Sequence, residues 1–276
     1  MIALLKAELY KLIHQRMTYF ALAAIVLIEG IVLVSAYFQG STILEILLDN
    51  LRESFYFQGS LLNGHLIVYL ILNSLWFHLP LILMIVSSGL FTTEHKDKTL
   101  QMMMMQPVSK VGFVISKYVA AITFSLIIIA LLMISSMAIS YSVFGTGDLI
   151  VYLGTLNFYE SNQAFERILW AYACGTLTVI FFSVASVTLG IWVRDTAIAW
   201  IVSAFFLIVC NLLLKVDLGL SWYDNYFFVK LNDTWQQLFY QEIDWSLIHL
   251  NNTLLVIYIL LFMAIGTFIF QKRDVA

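Results

Sequence analysis

The sequence predicts an all-α integral membrane protein: six transmembrane helices preceded by an amphipathic helix at the membrane interface. Three observations predict it. Apolar residues make up 62% of the chain and charged residues 11%, with a mean hydropathy of +0.92, whereas charged residues make up about 25% of a typical soluble domain. The apolar residues gather into six runs, at about 18–39, 66–91, 118–143, 168–193, 196–214 and 251–270, and a helix needs about 20 such residues to cross a bilayer. Lysine and arginine fall mostly on one side of those runs, the pattern of loops facing the cytoplasm.

That side carries Lys6, Lys11, Arg16, Lys96, Lys98, Lys110, Lys117, Arg194, Lys272 and Arg273, against Arg52, Arg167, Lys215 and Lys230 on the other. The acids run the opposite way. Both termini are therefore expected in the cytosol of a multi-pass protein of the cell membrane. The net charge of -3 conceals the asymmetry and gives no reason to expect nucleic acid as a partner.

Residues 1–17 read as the amphipathic helix. Ile2, Leu5, Leu9, Leu12 and Ile13 fall on one face, with Lys6, Glu8, Lys11 and Gln15 on the other, a pattern suited to lying among lipid headgroups. The first apolar run is longer than a signal-peptide core and no small-residue cleavage site follows it, so the segment is expected to stay attached. Near the middle of the first span stands Glu29. An ionised acid there costs roughly 2.5–3.5 kcal/mol on insertion scales, so it is expected inside the protein, facing another helix or a central path.

Asn73, Phe77, Pro80, Met84 and Ser87 form one stripe on the second span, and His78 is the ionisable group expected to meet Glu29. Pro80 frees a backbone carbonyl and permits a kink. Glu29, Asn73, Phe77 and His78 are the candidate translocation path.

Between the second and third spans lies a polar loop, 92–112, expected in the cytosol. A helix is predicted from Glu94 to Gln106, with Thr92 or Thr93 capping its start and Pro107 stopping it. Leu100, Met103 and Met104 share one face, and flexible, polarizable methionines suit an irregular groove on another protein. In the fourth span, Ser186-x-x-x-Gly190 favours close helix approach, and Arg194-Asp195 makes a minimal turn into the fifth.

Three outer loops, about 40–65, 144–167 and 215–250, are rich in aromatics. The last holds Trp222, Tyr223, Trp235 and Trp245 and is expected to be ordered, with its aromatics mostly at headgroup level. Glu53–Gly59 matches a site-specific protease pattern, Glu-x-x-Tyr-x-Gln-Gly, between apolar flanks of natural character. Cys174 and Cys210 fall within spans, where a thiol acts as a small hydrophobe.

No phosphate-binding loop, zinc helix or nucleophile elbow is present in the sequence. The chain is therefore expected to have no catalytic residues, cofactor or metal of its own. ATP-driven work would need a separate subunit.

The chain resembles a permease subunit of the type-2 ABC exporter family. The likeness rests on Ala7-Glu8-Leu9-Tyr10-Lys11-Leu12, on Phe91-x-x-Glu94 with Lys98-Thr99-Leu100 and Gln106-Pro107-Val108-Ser109-Lys110, on Lys117, and on Lys272-Arg273-Asp274. It departs from the family pattern at Lys110, where the family has arginine, and at Asp97, where it has glycine.

The resemblance implies that the first helix is an elbow helix with Glu8 and Lys11. It makes the polar loop a coupling helix whose Glu94, Lys98, Thr99, Leu100, Met103, Met104 and Pro107 engage an ABC-type ATPase carrying ATP and Mg. It also implies a second permease copy, identical or related, with substrate leaving between the two. Few polar residues in the spans favour a hydrophobic or amphipathic substrate: a lipid, peptide or drug. The alternatives are an ion-coupled carrier, or a polytopic membrane enzyme using Glu29 and His78.

The charge asymmetry makes one prediction directly. A fluorescent protein fused after Ala276 should fluoresce, while an enzyme active only outside the cytoplasm should be inactive there. The opposite pair of results would reverse the orientation.

Overall fold

A computed structural model describes residues 2–52, 61–105 and 108–272. Glu53–Gly59, Gln106, Pro107, Arg273 and Asp274 lie outside the described residues. The fold is nearly all helical: α1 (Ile2–His14), α2 (Arg16–Arg52), α3 (Gly64–Lys96), α4 (Thr99–Met104), α5 (Lys110–Phe144), α6 (Ser161–Val193), α7 (Thr196–Leu214), α8 (Ser221–Tyr226), α9 (Phe228–Leu231) and α10 (Trp245–Lys272). Six of these, α2, α3, α5, α6, α7 and α10, are long and apolar enough to cross a membrane, which makes the chain a multi-pass membrane protein.

Local signals set the boundaries. Asn63 caps α3 by accepting from the Leu66 amide at 3.1 Å, and Asp195 caps α7 by accepting from Ile198 at 2.9 Å, each satisfying a donor that a helix start leaves free. Arg194, at φ 66°, reverses the chain between α6 and α7 as the two-residue turn requires. The α3 helix runs on through Pro80. Beyond Gly40, α2 continues to Arg52, through residues expected to be loop. Ser41–Arg52 contains neither glycine nor proline and keeps its apolar residues at helical spacing, so nothing stops the helix.

At the core stands α6, whose buried face holds Gly175, Ser183, Ser186 and Gly190. A Cβ at Gly190 would lie 3.0 Å from the Ser88 carbonyl oxygen of α3, and one at Gly175 would run into the Trp76 ring. Ser186 donates to the Met84 carbonyl at 2.6 Å and pairs with Ser203 of α7 at 2.9 Å. Small residues thus let backbones approach, and hydroxyls join them.

One end of the bundle, with α1, α4 and the α6–α7 turn, is rich in lysine and arginine; the other is rich in aromatics. At the aromatic end a hairpin interrupts the helical pattern, β1 (Leu149–Tyr152) pairing antiparallel with β2 (Leu156–Tyr159), its turn relaxed by Gly154 at φ +78°. The Tyr159 hydroxyl donates to the Phe239 carbonyl at 2.6 Å, and Arg167 donates to the carbonyls of Leu238 and Tyr240 while lying 4.1 Å over the Tyr159 ring. Residues 215–250 are ordered as expected, with α8, α9 and a 3₁₀ turn at Thr234–Phe239. Their aromatics divide, however. Trp235, Phe239 and Tyr223 are buried, Trp235 packing on Trp76 at 4.8 Å between ring centroids, while Trp222 and Tyr226 remain exposed.

Substitution at Gly175 tests this packing. Gly175→Val should destabilise the protein by about 1–3 kcal/mol, the range for overpacked cores, whereas Gly30→Ala, with open space around its Cβ position, should be near neutral. Thermal unfolding in detergent compares them, and equal midpoints would contradict the packing account.

Candidate functional site

At the basic end, four charged side chains from three helices meet. Glu8 and Lys11 lie one turn apart on α1, Glu94 lies in the last turn of α3, and Lys117 in the third turn of α5. The Lys117 ammonium donates to Glu8 Oε2 at 2.7 Å and reaches Glu94 Oε1 at 2.6 Å; Lys11 donates to Glu8 Oε1 at 3.0 Å and to Glu94 Oε1 at 2.5 Å. Lys117 is 0% exposed and Glu8 1%.

Two acids and two ammoniums make the group neutral, and that neutrality permits its burial, since an isolated charge taken out of water costs several kcal/mol. Lys117 also sits 4.9 Å over the Phe113 ring, a favourable position for a cation. Glu94 stands where the helix macrodipole disfavours negative charge; the two ammoniums offset this.

The surrounding sequence holds α1 in place. Leu12 is buried, with Leu5 and Leu9 packed behind it, so the apolar stripe and the Glu8–Lys11 pair face inward together. The opposite side exposes Tyr10 and Ile13, which places Ile13 outside the predicted apolar face. The helix breaks at Gln15, where Thr18 bridges to α1 by donating from its hydroxyl to the Leu12 carbonyl at 2.5 Å.

The predicted helix from Glu94 to Gln106 is corrected. The chain leaves α3 after Lys96 and turns at Asp97 and Lys98, the latter at φ 57°, before α4 begins at Thr99. Thr92 and Thr93 lie within α3 and cap nothing; Thr92 donates back to the Ser88 carbonyl. Burial inside the cluster draws Glu94 into α3, and Thr99 ties the new helix to it by donating to the Glu94 carbonyl at 3.3 Å.

Burial also reassigns the methionines. Leu100 is buried, and Met103 and Met104 pack against the core, whereas Met102 is 68% and Met105 88% exposed. Of the face expected to meet a partner, Leu100 serves the chain's own packing and Met103 and Met104 are half-buried, while Met102 and Met105 form the outward face beside the exposed Lys98 and Thr99. An open groove of about 540 Å³ runs between α1, the end of α3 and α4, walled by Glu8, Lys11, His14, Glu94, Asp97 and Met103.

Glu29 is 4% exposed and accepts from the Ser135 hydroxyl of α5, at 3.0 Å to each oxygen. It is inside the protein, as expected, but its partner is Ser135 and not His78. His78 is exposed and bonds through Nδ1 to the Ser74 carbonyl of its own helix at 2.7 Å, because a helical histidine readily reaches the carbonyl one turn back. Asn73 is exposed, Phe77 half-buried, and Met84 and Ser87 fully buried, so the predicted stripe splits between surface and core. Among the described residues, no group of three or more histidine, cysteine, aspartate or glutamate side chains could hold a metal.

The architecture defines a helical, multi-pass membrane protein. The chain belongs to the DUF2705 family, described as a protein of unknown function, which matches residues 32–276. No curated protein matches the chain.

Two outcomes are expected at the cluster. Lys117→Met should cost about 3–5 kcal/mol, the usual loss on breaking a buried ion pair, and adding Glu8→Gln should recover part of it by restoring neutrality; unfolding in detergent measures both, and an additive double variant would contradict a shared cluster. Burial pushes the Lys11 ammonium down, but its bonds to Glu94 and the charges of Glu94 and Glu8 more than reverse this, leaving it raised. Its stabilisation is fully present below the unfolded lysine value of about 10.4 and is lost only as pH climbs through the higher folded value.

Proposed function

We propose that this chain is the membrane-spanning subunit of an ATP-driven exporter, working as a dimer with a second copy or a related permease and coupled to separate ABC-type ATPase subunits. The observation that carries the reading is the buried ion cluster. It binds α1 to the end of α3 and the start of α5, the three elements that flank α4, and so fixes a short helix with two exposed methionines at the basic end. In this reading α1 is the elbow helix and α4 the coupling helix, on the cytosolic side with both termini. Met102 and Met105 enter the ATPase groove, with Lys98 and Thr99 at its rim. ATP and Mg stay on the partner, and the chain itself is no enzyme.

The apolar character of the spans supports a hydrophobic or amphipathic substrate, a lipid, peptide or drug, drawn from the surrounding membrane. An enzyme built on a Glu29–His78 acid/base pair lacks support, because the two do not meet.

Purification from native membranes tests the reading. A soluble P-loop ATPase should accompany the chain stoichiometrically, and its ATP turnover should respond to the assembly. Met102→Asp with Met105→Asp should weaken that association at least about tenfold, since losing an interface anchor can cost over 1 kcal/mol, while the spans stay inserted. Leu100→Asp should instead damage folding. Transport by the isolated chain without any ATPase, or undiminished partner binding by the methionine variant, would refute the proposal.

A further inference from the structure

Glu29 poses a problem of proton counting. It lies on the inward stripe of α2 with Ala21, Ile25 and Ala36, and the Ser135 hydroxyl stands 3.0 Å from both of its oxygens. The same hydroxyl lies 3.1 Å from the Leu132 carbonyl. A serine has one proton to donate. If it goes to Leu132, an ionised Glu29 receives no hydrogen bond; if it goes to Glu29, a buried carboxylate has a single neutral donor. Neither arrangement compensates a charge at this depth.

A neutral carboxylic acid closes the set. Its O–H donates to Ser135 Oγ, and Ser135 donates to Leu132. Nor do the neighbouring titratable groups supply a cation. From α3, His65 bonds the Gly147 carbonyl, Tyr69 engages Asn73, and His78 bonds Ser74. Tyr172 of α6, within electrostatic reach of Glu29, pairs with Ser136 at 2.9 Å and interacts electrostatically with Tyr141 of α5. Among the described residues, no lysine or arginine forms an ion pair with Glu29.

We propose that Glu29 is a proton-binding site: the folded chain holds it as a neutral acid within the membrane, and that proton sustains the hydrogen bond that links α2 to Ser135 of α5. Its ligand is the proton, and the site stands whether or not an ATPase binds at the basic end. Releasing the proton would leave a carboxylate that only water or a cation could satisfy, so ionisation would break the Glu29–Ser135 link between α2 and α5.

The test uses the full-length protein in phospholipid nanodiscs. In infrared spectra at about pH 7, Glu29→Gln should remove a protonated-acid carbonyl band. Loss of a carboxylate band instead would overturn the proposal. The substitution should fold normally, because the amide can donate to Ser135 as the acid does. Should it fail to fold, Ser135→Ala gives the same reading by shifting that band in an otherwise intact site; an unshifted acid region would overturn it.

Dicyclohexylcarbodiimide provides a second readout. It takes the acid's proton on one nitrogen while a carboxyl oxygen bonds its central carbon, and the O-acylisourea rearranges to an N-acylurea, so the whole reagent is added and nothing leaves. Mass spectrometry should find the adduct on Glu29, falling up to about tenfold per pH unit above its titration point. Equal labelling by a water-soluble carbodiimide would mean a solvated carboxylate and would also overturn the site.

Discussion

The neutral cluster of Glu8, Lys11, Glu94 and Lys117 is the interaction on which the basic end of this protein depends. Glu8 and Lys117 are separated by 109 positions, yet each is almost wholly buried against the other. Removing any one member leaves an uncompensated charge away from water, a larger loss than any single apolar contact around it. The cluster therefore acts as a joint. It fixes the angle at which α1 crosses the bundle, closes the end of α3 and anchors the start of α5. Because α4 hangs between α3 and α5, the joint also determines where Met102 and Met105 stand.

Beyond the cluster itself, the helices are joined by neutral contacts. Ser125 meets Ser183 at 2.9 Å, Tyr118 meets Thr188 at 2.8 Å and Ser136 meets Tyr172 at 2.9 Å. Each such pair contributes modestly, about 0.6 kcal/mol on average in membrane proteins, and Gly175 and Gly190 let α6 pack closely on α3. The aromatic end uses a third device: Arg167 gathers backbone carbonyls and an aromatic ring, holding the hairpin and the 3₁₀ turn over α6. Charge pairing, small-residue packing and a backbone clamp thus divide the molecule by depth.

Run length and charge asymmetry made the six spans readable, because hydrocarbon permits few alternatives to an apolar helix. Glu8, Lys11, Glu94 and Lys117 all stood out in the sequence, but nothing in their spacing indicated that they meet; that contact follows from how α1 folds back, which is tertiary. The turn at Asp97 and Lys98 was hidden for a related reason. A lysine at positive φ has no local signature, and only the burial of Glu94 explains why α3 keeps it. The hairpin did leave a trace, since Leu149–Tyr152 and Leu156–Tyr159 are β-prone residues around Gly154; in a chain dominated by helical runs they passed for an aromatic loop. Trp235 misled in another way, as a tryptophan near a membrane surface serves equally as an anchor or as core.

Hydrogen exchange on the intact protein in nanodiscs tests the role of the cluster most directly. In the Lys117→Met variant, the amides of Leu5 to Ile13 should exchange much faster than in the wild type, together with those of α4, while α6 keeps its protection. Unchanged protection of α1 would contradict the account, since it would mean that apolar packing alone holds that helix in place.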